Sequence, residues 1–377
     1  MTSARKVWQV GWRLVVCAVL LLWICHSIFA SEAQGICENR GLAWDTLSRA
    51  EQWRLAWTTG PLNLWRTLVL MDPGTLLLSL GFMGMTLALG VWRWQLVLRT
   101  YGLALPWPRA AEISLIAQFF NAFLLGSTGG DVLKAYYAAR ETHHKKTEAI
   151  VAVFVDRLIG LFSMLLFAAI MMLLNLPFLL GHRELAAAVW VALGLLAICS
   201  VVLGLAFWGG LSRAWPQARH WLRRLPKGAW LEQSLDACRS FGSHRDVLIR
   251  SMLVSFLLNL FCVLQVMTVA WGLGVDTPAL IWFVVVPLIM CISALPITPS
   301  GLGLRENLYV LTLSGPALLV PKTPALAVSL LAYFGFLAWS LGGGLVYLAF
   351  KERHHLAEVA AEGANAANTA SPSPGGG

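Results

Sequence analysis

The sequence predicts an all-α polytopic membrane protein with about six transmembrane helices and two re-entrant hairpins in an inverted-topology repeat. Three observations predict it. The chain is 58% hydrophobic and 12% charged, against about 25% charged residues in an average soluble domain. Six apolar runs reach the roughly 17 to 25 residues needed to cross the hydrocarbon core of a bilayer. Between them lie two apolar stretches broken by glycines and charges, each reading as two short arms around a tip.

In chain order the spans fall near 14–30 and 74–92, then a hairpin near 112–140, then a span near 148–174. The same order returns as spans near 185–208 and 249–272, a hairpin near 280–315 and a span near 325–349. The first half starts inside and the second outside, so the two hairpins enter from opposite faces, the pattern of transporters that alternate access around a midplane site. Residues 1–350 therefore form one membrane domain, divided into repeats at 1–175 and 185–350. Residues 351–377 end in an Ala, Asn, Ser, Pro and Gly tail whose composition builds no core, and read as a disordered cytoplasmic segment.

The first run follows Arg5 and Lys6 and precedes Ser31-Glu32-Ala33, so it also has the form of a cleavable signal. Its removal would break the repeat, which favours a retained span. Trp44, Trp53, Trp57 and Trp65 in the next loop mark an interfacial helix or boundary anchors. Gly81, Gly84, Gly90 and Gly342 to Gly344 suit close helix packing.

With the N-terminus placed inside, 19 of the 28 Lys and Arg, Arg93 among them, lie on the cytoplasmic side and 6 outside. This bias puts both termini in the cytoplasm of a cell that inserts the chain in its cytoplasmic (inner) membrane. It also accounts for the net charge of +9 without nucleic acid, because the basic residues gather at the ends of apolar runs. The seven cysteines form no disulfide framework, Cys37 alone falling in an outside loop. His143, His144, His354 and His355 lack the carboxylate or Cys spacing of a metal site. No phosphate-loop signature is present, so neither a bound cofactor nor direct ATP use is expected.

Chemistry concentrates in the broken segments. The first carries Asn121, Gly129, Gly130, Asp131 and Lys134, and the second Pro299, Gly301, Gly303, Arg305 and Glu306. Asp156 and Arg157 stand in the span that follows the first hairpin. Charges at this depth are costly and pair with one another or mark a pathway. Asp131 and Lys134, three apart, share a helix face, whereas the adjacent Asp156 and Arg157 need different partners. Backbone N–H groups after Gly130 and Gly303 would open short helices toward an anion, with Lys134, Arg157 and Arg305 as counter-charges.

From about residue 70 to 350 the chain resembles the lysylphosphatidylglycerol synthase transmembrane-region, or flippase-like, family. The resemblance is carried by Asn121 with Gly129-Gly130-Asp131 and Lys134, by Asp156-Arg157-Leu158-Ile159-Gly160, and by Pro296, Pro299, Gly301, Gly303, Arg305 and Glu306. Lys134, where relatives often have arginine, and Gly126-Ser127-Thr128, where they often have a Pro-Gly turn, depart from the pattern. The resemblance implies a membrane domain that moves an anionic phospholipid, a polyprenyl-phosphate lipid or a glycolipid between leaflets. The large soluble aminoacyl-transferase domain of the multiple peptide resistance factors has no counterpart after Phe350, so lysyltransferase activity is not expected. Two alternatives stay open: a membrane-embedded enzyme using Asp131, Asp156 or Glu306 as acid and base, and a non-transporting partner subunit of a lipid or glycan synthase.

Overall fold

The computed structural model describes residues 46–123, 129–141, 146–176, 244–293, 304–315 and 318–370, with isolated positions between 26 and 37 and between 179 and 201. Among the described residues the chain is helical and contains no strand. Helix α1 spans Arg49–Val69. A capping box starts it: the Glu51 N–H donates to Ser48 Oγ, and the Ser48 N–H donates to Glu51 Oε2 at 2.9 Å. Trp53 and Trp57 stack on it at 5.4 Å, and Trp57 Nε1 donates to His26 Nδ1. Three of the tryptophans expected on an interfacial helix thus share one helix; Trp44 lies outside the described residues.

Among the described residues four helices are long and apolar enough to cross a membrane: α2 (Pro73–Thr100), Glu148–Leu174 within α5 (Lys146–Leu174), α6 (Arg245–Gly272), and Lys322–Leu348 within α9 (Lys322–Ala370). They coincide with four of the six predicted spans. Of the other two, 14–30 falls almost wholly outside the described residues, and 185–208 contains a short apolar helix at Val189–Val201. Between the long helices lie α3 (Trp107–Phe123) and α4 (Gly129–Glu141), then α7 (Ala279–Ser293) and α8 (Leu304–Leu313), in the places of the two predicted hairpins. Helix α9 continues to Ala370, over most of the segment that composition assigns to a disordered tail. Runs of alanine and glutamate there have high helix propensity, which extends a helix without supplying a core.

Among the described residues the two largest hydrophobic clusters lie one in each half of the bundle. One gathers Trp94, Leu98, Ile113, Ala138, Val155 and Ile159 from α2 to α5, and the other gathers Val269, Trp282, Ile289, Tyr309, Leu313 and Val328 from α6 to α9. Large apolar side chains such as Leu77, Trp92, Leu253 and Leu345 stand exposed on the outer faces, the arrangement expected of a surface solvated by lipid.

The packing of one half mirrors that of the other. Helices α2 and α6 pack on each other, α3 packs on α9 while α7 packs on α5, and α4 packs on α5 while α8 packs on α9. The ends of the central pair share the same cap. In α2 the N–H of Leu103 donates to the Leu98 carbonyl and that of Gly102 to Arg99; in α6 Val275 donates to Ala270 and Gly274 to Trp271. Both are Schellman caps, with Gly102 at φ 68° and Gly274 at φ 70°, a left-handed conformation that favours glycine. Four residues after each cap glycine the chain enters the next helix through a proline, Pro106 and Pro278.

Candidate functional site

The first hairpin is closed at both ends by side chains. At its base Arg109 on α3 donates to Glu141 on α4 and, at 2.9 Å, to Glu112. At its tip the Gly130 N–H donates to Asn121 Oδ1 at 2.7 Å. The arms are so close there that a Cβ on Gly130 would lie 1.9 Å from the Ala117 carbonyl oxygen. Asn121 thus occupies the Gly130 N–H, just before the N–H groups that the sequence offers to an anion. Asp131 in the first turn of α4 complements the positive end of the helix.

The two residues on the inner face of α4 meet the two adjacent charges of α5. Lys134 Nζ lies 3.5 Å from Asp156 Oδ2, and Arg157 pairs with Asp131. Consecutive helical residues point about 100° apart, so Asp156 and Arg157 reach different partners on the same neighbouring helix. Asp156 is also held at 2.8 Å by Arg93 Nε from α2, and Arg93 Nη1 donates to Ser255 Oγ on α6 at 3.2 Å. The side chains of Arg93 and Lys134 are each 12% exposed and that of Asp156 7%, whereas Arg157 is 52% exposed. Lys134 sits 4.2 Å above the ring of buried Trp94, a cation–π contact in surroundings of low dielectric. Three cations therefore meet two carboxylates.

Arg305 and Glu306 form a second cluster on α8. Arg305 Nη2 donates to Glu306, whose side chain is 1% exposed, and the guanidinium lies 4.3 Å from the ring of Tyr333 on α9. Pro299, Gly301 and Gly303 lie outside the described residues, and Gly129 opens α4. Among the described residues no three His, Cys, Asp or Glu converge as metal ligands.

Arg93 is the residue that sequence reasoning misplaced. It follows the apolar run, where polarity places it among the cytoplasmic boundary charges, yet α2 continues to Thr100 and carries it inside the bundle. The signal for the true end was the Tyr101-Gly102 cap. Gly160 gains a physical role from the same contact: a Cβ there would stand 3.0 Å from the Arg93 guanidinium, so the missing side chain one turn beyond Asp156 makes room for it.

The chemistry available is electrostatic: buried ammonium and guanidinium groups with more positive than negative charge, on helices whose outer faces are apolar. A scan of protein families matches residues 47–341 to the lysylphosphatidylglycerol synthase TM region. No curated protein matches the chain. The match covers α1 to α8, most of the apolar part of α9 and both charge clusters, and on it the chain is a membrane protein that belongs to the lysylphosphatidylglycerol synthase transmembrane-region family.

Proposed function

We propose that this protein is a translocator that carries an anionic lipid, a phospholipid, polyprenyl phosphate or glycolipid, between the leaflets of the cytoplasmic membrane, with both termini in the cytoplasm. The observation that carries the reading is the convergence of Arg93 and Lys134 on the single buried carboxylate of Asp156, beside the Arg157–Asp131 pair. Such a surplus of cations inside an apolar helix set favours a phosphate that arrives with its own charge. The headgroup travels along the α4–α5 groove past half-exposed Arg157, and the hydrocarbon chains stay in the bilayer.

Equivalent packing in the two halves, down to the caps at Gly102 and Gly274, supports an inverted repeat with re-entrant hairpins. Alternation between two such halves exposes a site to each leaflet in turn without hydrolysis of a nucleotide. The role is transport, and no chemical change in the lipid is part of it.

Reconstitution in liposomes with labelled phosphatidylglycerol, polyprenyl phosphate and phosphatidylcholine tests this directly. The wild type is expected to exchange the anionic lipids between leaflets selectively, and Asp131→Asn and Arg305→Ala to lose exchange while remaining folded. Conversion of the lipid headgroup would replace the reading with an enzyme. No exchange of any lipid, even under a proton gradient, would leave a partner subunit of a synthase.

A further inference from the structure

Arg93 has a counterpart in the second half. It lies as far along α2 from Pro73 as Gln265 lies along α6 from Arg245, and Asp156 lies as far along α5 from Lys146 as Ala332 lies along α9 from Lys322. The contacts correspond as well. Arg93 bridges α5 at Asp156 and α6 at Ser255, while Gln265 Nε2 bridges α9 at the Ala332 carbonyl, 3.1 Å, and α2 at Ser79 Oγ, 3.3 Å. A neutral amide thus suffices to pin the central helix pair to the last helix of a half. The charge at position 93 needs a different reason.

Its geometry supplies one. Asp156 receives a charge-assisted hydrogen bond from Arg93 at 2.8 Å and a much longer contact from Lys134 at 3.5 Å. One carboxylate balances one cation, so Arg93 with its shorter bond takes the larger share of Asp156, and Lys134 keeps only the 3.5 Å contact while resting on the face of Trp94. We infer that Arg93 is a positioning residue of the candidate site, and that by taking Asp156 it leaves Lys134 as the uncompensated cation that receives the phosphodiester of a lipid headgroup. This rests on the headgroup reading given above. Without the Arg93 charge, Asp156 and Lys134 close on each other and the network becomes neutral. The ligand then has to break a buried ion pair to bind.

The second half names the substitution to make, Arg93→Gln, and charge balance names its rescue, Arg93→Gln with Asp156→Asn. Dioctanoyl phosphatidylglycerol, dioctanoyl phosphatidylcholine and inorganic phosphate are titrated onto the full chain in dodecyl maltoside and read by native mass spectrometry, with the thermal midpoint of each variant as the measure of folding. Wild type is expected to prefer phosphatidylglycerol over both other probes. Arg93→Gln is expected to bind it about tenfold more weakly, the scale of one hydrogen bond to a charged group, and the double variant to recover wild-type binding, because Lys134 is again in surplus. Recovery in the double variant carries the test even where the single variant folds poorly. Unchanged binding in Arg93→Gln overturns the inference and leaves the headgroup site standing, as does failure of the double variant to recover. A wild type that does not distinguish phosphatidylglycerol from phosphatidylcholine, or that takes inorganic phosphate equally well, overturns the headgroup reading and the inference with it.

Discussion

Asn121 and Gly130 hold the tip of the first hairpin by opposite means, one through a polar group and the other through the lack of a side chain. Removing the polar group leaves the Gly130 N–H without its acceptor. Asn121→Ala is therefore expected to lower stability by about 1 kcal/mol, the usual cost of a lost helix cap, and to be recovered as folded protein. Gly130→Ala forces a methyl group against the Ala117 carbonyl and is expected to cost about 1–3 kcal/mol or more. Thermal unfolding of the purified variants in detergent measures both, and equal midpoints would show that the tip is looser than its geometry. Residue identities at this tip, and the pairing of Asp131, Lys134, Asp156 and Arg157, were readable from the sequence. Intramembrane charges need partners, and helical spacing decides which of them can meet. Arg93 escaped notice because hydropathy averages over a window and places a helix end where polarity begins, whereas this helix ends where its glycine cap lets it.

At the scale of elements, small residues decide how closely helices approach, and adjacent glycines of α9 differ sharply. A Cβ on Gly343 would stand 2.0 Å from the Leu115 carbonyl oxygen and one on Gly344 2.9 Å from the Phe119 ring, while one on Gly342 would meet nothing within 4 Å. Gly343→Ala is expected to separate α9 from α3 at a cost of about 1–3 kcal/mol. Gly342→Ala is expected to stabilise the helix by up to about 1 kcal/mol through the better propensity of alanine. Opposite shifts of the thermal midpoint check the pair, and a common sign would refute the packing argument. The triple glycine was recognisable as a packing face, yet the face that each glycine presents depends on the partner helix, and periodicity within one helix holds no record of that.

The whole molecule is organised by the correspondence of its halves, and one short pair of connections turns that correspondence into a test of handedness. Gly102-Leu103-Ala104-Leu105-Pro106 and Gly274-Val275-Asp276-Thr277-Pro278 join equivalent helices through the same cap, with the second and fourth residues buried and the third exposed in both. A parallel repeat would set the two connections on one side of the membrane. An inverted repeat sets them on opposite sides, and the topology proposed from the Lys and Arg bias expects the first in the cytoplasm. In a background without the seven native cysteines, a membrane-impermeant maleimide applied to intact spheroplasts is expected to label the Asp276→Cys variant and not the Ala104→Cys variant. Permeabilised cells are expected to label both, because both positions are exposed. Labelling of both variants in intact spheroplasts would show that the halves share one orientation, and a site presented alternately to two leaflets would lose its structural basis. Labelling of the Ala104→Cys variant alone would preserve the inversion and reverse the topology, moving the Arg93–Asp156–Lys134 network to the half that begins on the other side. The distinction rests on two loop positions because the hydrogen bonds on either side of them fix their equivalence independently of any membrane.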